Sequence, residues 1–205
     1  MNLGELLEQL REGILNDRSD QTSGDSDFLW TDRTLIRYIN EAQRRLAIRG
    51  LVIRDGSTAE CCDVTLVEGQ TLYPLHDSVI AVVSAKRTDV DYDLTRAGHA
   101  VLAGYRSPTD TWVDPLRYST LQPGSPIAYS TDEEISPDDM DTMNTVTLRV
   151  YPEPDADAAG STVRMRVIRK PLQDLCSANL STVPEVPADH HLDMLDWAAY
   201  PAHGS

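Results

Sequence analysis

Asp189, His190, His191, Asp193 and Asp196 are the residues whose types best fit metal chemistry, since imidazole and carboxylate at helical spacing can share one ion. Adjacent histidines point about 100° apart on a helix, so only one of the pair could join Asp193. No further ligand stands at a definite metal spacing, and we read this stretch as a solvated helix start. Cys61 and Cys62 are adjacent and could be redox-active, but oxidation would close a strained ring and the chain has no CxxC. Packing is the better reading for them, as for most free cysteines. The acids of residues 132 to 141 could supply oxygens to calcium, yet they lack the spacing and central glycine of a calcium loop. There is no GxSxG elbow, no GxGxxG and no phosphate loop. No catalytic residue, no cofactor site and no metal is therefore assigned.

The charge balance narrows the partners. The chain has 205 residues and a formal net charge of −15, so its field repels phosphate backbones and anionic membranes. Wrapping nucleic acid needs many Lys and Arg contacts, which this balance disfavours. Three cysteines make no disulfide framework, and the default is a reducing cytosol. No apolar run reaches the roughly 20 residues that span a bilayer, and MNLGELLEQLREGIL carries acids where a signal peptide is basic. A soluble protein with no membrane partner is expected.

The elements that would position these side chains follow from periodicity. Leu3, Leu6, Leu7, Leu10 and Ile14 share one helical face, with Asn2 and Glu5 as a capping box. A polar linker over 19–27 should follow. WTDRTLIRYINEAQRRLAIRG, residues 30–50, predicts a second helix capped by Thr31 or Asp32, striped by Leu35, Ile39, Ala42 and Leu46, and stopped by Gly50. Arg33, Arg37, Arg44, Arg45 and Arg49 cover its remaining surface. From residue 59 the period becomes two. CCDVTLV and QTLYPL read as a hairpin turned at Gly69, and DSVIAVVSAKR as a further strand. DLTRAGHAVLAGY allows a short helix, and PIAYST, NTVTLRVYP and STVRMRVIRKP are strands. In the last, Val163, Met165 and Val167 face one way. PEVPADHHLDMLDWAAY predicts a closing helix with Ala188, Leu192, Leu195 and Ala199 in line, ending before Pro201. The order gives an α+β fold: a helical bundle of the N-terminal helices and a C-terminal helix, with an inserted antiparallel β domain. Its expected divisions are 1–55, 56–183 and 184–205.

Three stretches together resemble a known family. The YINEAQ-centred helix of residues 30–50 is similar to the second helix of head-to-tail connector, or adaptor, proteins of tailed phages. VPEVPADHHLDMLDWAAY is similar to their closing helix, and LRVYPEPDADAAGSTVRMRVIRKPL to their paired strands around a Pro-rich turn. The resemblance implies a non-enzymatic virion protein, assembled in the host cytoplasm and placed in the neck between capsid portal and tail. Its implied partners are further copies in a ring, commonly a dodecamer, the portal protein, and a tail protein such as a nozzle or tail tube. DNA would pass through the channel without specific binding, which acidic walls favour. Trp30, Arg37, Arg44 and Arg45 are the expected ring contacts, and Trp197 and Tyr200 the expected portal contacts. One departure is that family members usually continue into a charged C-terminal tail, whereas Pro201 and HGS close this chain. Two readings from other classes are a metal-dependent hydrolase using the acids or His190, and a generic acidic protein-binding module.

Overall fold

In a computed structural model of the chain, residues 1–17, 28–97, 123–131 and 146–203 are described. The expected linker over 19–27 and the acidic loop of 132–141 lie outside them. The fold is mixed α and β, and the chain divides into two compact units: Met1–Ile53 with Arg169–Ser205, and Arg54–Ile168.

In the first unit, α1 (Leu3–Glu8) begins with Asn2 accepting from the Glu5 amide at 2.9 Å while the Glu5 carboxylate accepts from the Asn2 amide at 3.0 Å. The single helix expected to run through Ile14 instead widens at Gln9–Leu15 into a π-helical segment. A wider helix turns less per residue, which brings Arg11 toward the buried side beside Leu3, Leu6, Leu7 and Leu10. α2 (Asp32–Gly50) is capped by Thr31, whose hydroxyl accepts from the Thr34 amide at 3.3 Å. Leu35, Ile39 and Ala42 are buried as the stripe requires, and Leu46 is half-buried. Gly50 does not stop the helix but belongs to it; the left-handed residue that ends it is Leu51, at φ 52°.

The second unit holds β1 (Arg54–Asp55), the one-turn helix α3 (Ala59–Cys62), β2 (Asp63–Thr65), β3 (Leu72–Pro74), β4 (Val79–Arg87), β5 (Thr95–Arg96), β6 (Ala128–Thr131), β7 (Thr147–Tyr151) and β8 (Thr162–Arg169), whose last residue falls in the first unit. One sheet pairs β8 with β1, β2 and β4, and the other has the order β3-β7-β6-β5. The expected hairpin is absent. Gly69 does turn the chain, at φ 75°, but β2 pairs with β8 and β3 pairs with β7, so the two strands enter different sheets. Leu66, between them, is buried in the core that both sheets share, and that burial outweighs local pairing. Cys61 and Cys62 stand in α3, not in a strand. Thr95–Arg96, within the stretch that allowed a helix, pairs in parallel with β6, so the β unit is not purely antiparallel; residues 98–105 of that stretch are outside the described residues.

β8 carries the predicted alternation. Val163, Met165 and Val167 are buried with Tyr73, Val82, Tyr129, Leu148 and Val150 in one apolar core, while Arg164 and Arg166 point to solvent. Arg164 reaches across the register to Asp63 with two bonds of 2.8 Å, Nε to Oδ1 and Nη2 to Oδ2. That guanidinium holds the Asp63 carboxyl below its usual range. A depressed carboxylate pKa stabilises the fold above the unfolded value of about 3.9 and loses that contribution as pH falls through the folded one. The urea-midpoint gap between the wild type and Asp63→Asn should thus be constant above about pH 5 and shrink as the pH drops below about 4. A gap that widened on acidification would contradict the pairing.

The closing helix α4 (His191–His203) follows a 3-10 turn at Ala188–His190 and differs from its sequence reading in two ways. It runs through Pro201 instead of ending before it. Proline in the last turn forfeits one hydrogen bond, yet the helix continues past it and Ala202 is buried. The buried face consists of His191, Met194, Leu195, Ala198, Ala199 and Ala202, with Leu192 exposed to solvent.

Candidate functional site

His191 does not belong to a solvated helix start. It is fully buried, its Nε2 donating to the Val186 carbonyl at 3.0 Å and its Nδ1 accepting from the Met1 amino group at 3.1 Å. Both ring nitrogens are committed, so the imidazole ties the approach to α4 to the start of α1. His190 is half-buried and lies 3.3 Å from Asp193, an i,i+3 pair at the helix surface. Asp189 and Asp196 do not join them in a ligand cluster, and among the described residues the cluster with metal-ligand geometry is Asp55, Cys61 and Cys62.

The expected interface residues distribute over α2 and α4. Trp30 is half-buried against the helical core, its ring edge-on to Tyr38 at 6.3 Å between centroids. Its backbone is held by a buried ion pair: Arg11 Nη1 donates to Asp17 Oδ2 at 2.7 Å, and Arg11 Nη2 donates to the Trp30 carbonyl and to Asp32 Oδ1, each at 2.7 Å. Asp17 in turn accepts from the Leu29 amide at 2.8 Å and the Trp30 amide at 3.2 Å. The Arg11 guanidinium lies 4.1 Å over the Phe28 ring. This clamp fixes where α2 starts.

Along the exposed side of α2, Arg37, Arg44 and Arg45 all face solvent. Arg45 Nε donates to Glu41 at 2.6 Å, and Arg44 reaches Glu41 at 3.6 Å and Asp174 at 3.4 Å. Exposed pairs of this kind contribute little to folding, about 0.2–1 kcal/mol by double-mutant measurement, so these arginines are free to exchange partners. Arg33, Arg37 and Arg44 line a groove of about 380 Å³ between α2 and residues 174–177, floored by Ile36 and Leu175. Trp30 and Arg45 lie outside it. Asn40 fixes the far wall: its Nδ2 donates to the Leu175 carbonyl and its Oδ1 accepts from the Leu175 amide, both at 2.8 Å. Periodicity identified the arginines but not this wall, because nothing local marks residue 175 as the partner of residue 40.

On α4, Trp197 is half-buried against the helical core with the Arg49 guanidinium 5.2 Å over its ring, while Tyr200 is 81% exposed. The side chain of Arg49 thus covers one of the two expected portal residues and leaves the other open. No helix among the described residues is long and apolar enough to cross a membrane.

Comparison with known proteins bears on this surface. A search of curated proteins finds no match. A protein-family model described as SU10 adaptor protein matches residues 1–204. With a match over essentially its whole length, the chain belongs to the SU10 adaptor family, a phage head-to-tail adaptor family of structural proteins.

Proposed function

We propose that the protein is a subunit of the connector ring between the portal and the tail: it binds the portal, extends the DNA channel and presents a docking surface to a tail protein. The family match over residues 1–204 carries this reading. The proposed architecture is a helical body carrying an inserted β domain, with copies closing into a dodecamer through heterologous contacts, each copy offering one face to the next. The net charge of −15 fits a wall along which packaged DNA slides without sticking. In this reading the Arg37 and Arg44 groove takes carboxylates of the neighbouring copy, for which the planar guanidinium is suited. Trp30 and Arg45 flank it as further ring contacts, and Trp197 and Tyr200 contact the portal. Assembly would occur in the host cytoplasm, with the finished ring in the virion neck.

The test is to mix the protein with the portal protein of the same phage and measure mass by light scattering and shape by electron microscopy. A ring stacked on the portal is the expected product. The double variant Arg37→Glu/Arg44→Glu should weaken subunit association by about 2–5 kcal/mol, more than tenfold, while leaving the circular dichroism unchanged. Rings that form equally well from the double variant would remove the arginine face from the seam. Failure of the wild type to bind the portal at low and moderate salt would remove the connector reading itself.

A further inference from the structure

Between β1 and β2 the chain leaves the edge of β8, makes the excursion of residues 56–62, and returns. That excursion brings Asp55, Cys61 and Cys62 together, with one ligand-type atom from each lying within 4.8 Å of the others. Both cysteines are buried and Asp55 is half-buried.

We propose that Asp55, Cys61 and Cys62 form a binding site for one thiophilic divalent cation of the zinc class, held by two thiolates and a carboxylate oxygen. The spacing carries the argument. In a tetrahedral site with Zn–S of about 2.3 Å and Zn–O of about 2.0–2.2 Å, two sulfurs stand about 3.8 Å apart and a sulfur and an oxygen about 3.6 Å apart. Here Cys61 Sγ lies 3.7 Å from Cys62 Sγ, and Cys62 Sγ lies 3.7 Å from Asp55 Oδ1. The carboxylate is also held in place, as ligating carboxylates are. Asp55 accepts from the Ser57 amide at 2.9 Å, the Thr58 amide at 3.1 Å, the Ser57 hydroxyl at 3.1 Å and the Thr58 hydroxyl at 2.8 Å. Without an ion the same 3.7 Å contacts are thiol hydrogen bonds, Cys62 Sγ donating to Asp55 Oδ1, and an ion of this class would replace them with little change in spacing. Binding requires no oxidant: the ion replaces the two thiol protons, which pass to solvent, and water completes the coordination. The site lies within the β unit and is independent of the ring reading.

The experiment uses the reduced, metal-stripped full chain. Cobalt(II) titration should give one equivalent per chain with a thiolate-to-cobalt charge-transfer band, displaced by zinc, and zinc binding should release about two protons per ion. The band should be lost in Cys61→Ser and in Cys62→Ser, and retained in Cys176→Ser, whose thiol is exposed. Asp55→Asn, which preserves an acceptor oxygen for the turn, should weaken binding by at least about tenfold. Absence of the band in the wild type overturns the proposal, as does a band that survives both serine variants or disappears with Cys176. Should the serine variants fail to fold, X-ray absorption of the zinc-loaded wild type decides: two sulfurs at about 2.3 Å support the site, and a shell of oxygen and nitrogen alone overturns it.

Discussion

Replacing Arg11 with alanine is expected to lower the stability of the protein by about 3–5 kcal/mol, because it strands a buried carboxylate without its cation. Asp17 is as buried as Arg11, and without the guanidinium its carboxylate would keep only the Leu29 and Trp30 amides as partners. The loss should appear as a lower urea midpoint with an unchanged slope. Arg11→Lys should not restore it, since a single ammonium cannot reach Asp17, Asp32 and the Trp30 carbonyl from one planar group. Combining Arg11→Met with Asp17→Asn should recover much of the loss, because no unpaired charge then remains and the asparagine oxygen still accepts from the backbone. A double variant as unstable as Arg11→Ala would show that packing of the guanidinium on Phe28, not charge, dominates.

The second large effect lies in the core between α2 and α4. Leu195 is completely buried among Leu35, Ile39, Met194 and Ala198, so Leu195→Ala should cost about 2–5 kcal/mol from lost transfer energy and the cavity left behind. Leu192→Ala, three residues earlier on the same helix, should change stability by no more than about 0.5 kcal/mol, because that side chain already faces water. The pair is diagnostic, since the four-three-four spacing placed both leucines on the buried stripe. Equal losses in urea unfolding would mean that the helix is rotated from the orientation described.

That stripe also shows what the sequence makes legible. α2 followed its periodicity, with Leu35, Ile39 and Ala42 buried, because the whole helix packs one continuous face. β8 did the same with a period of two. α4 departed because His191 entered the core, which hydrophobicity alone would not suggest; its burial depends on Val186 and the Met1 amino group, contacts that sequence distance hides. The hairpin failed for a related reason. A turn glycine and two alternating runs specify a change of direction, but which strand each run pairs with is decided by β7 and β8, some 75 to 100 residues away. The α+β class and the arginine face of α2 were therefore legible, and the groove beside that face was not, since its far wall comes from residues 174–177. Cys61 and Cys62 were read correctly as buried, while Asp55 as their neighbour emerged only from the fold.

The amide of Asn40 has a consequence for recognition. By donating to and accepting from the Leu175 backbone, it holds the opposite wall of the groove as a neighbouring strand would, so both walls are borne by one helix. Ordering a mobile loop consumes part of the free energy of any association, and here that entropy is already spent in folding. A partner meeting this groove finds its backbone set in advance, and the freedom left to lose lies in exposed side chains such as Arg37, Arg44 and Asp174.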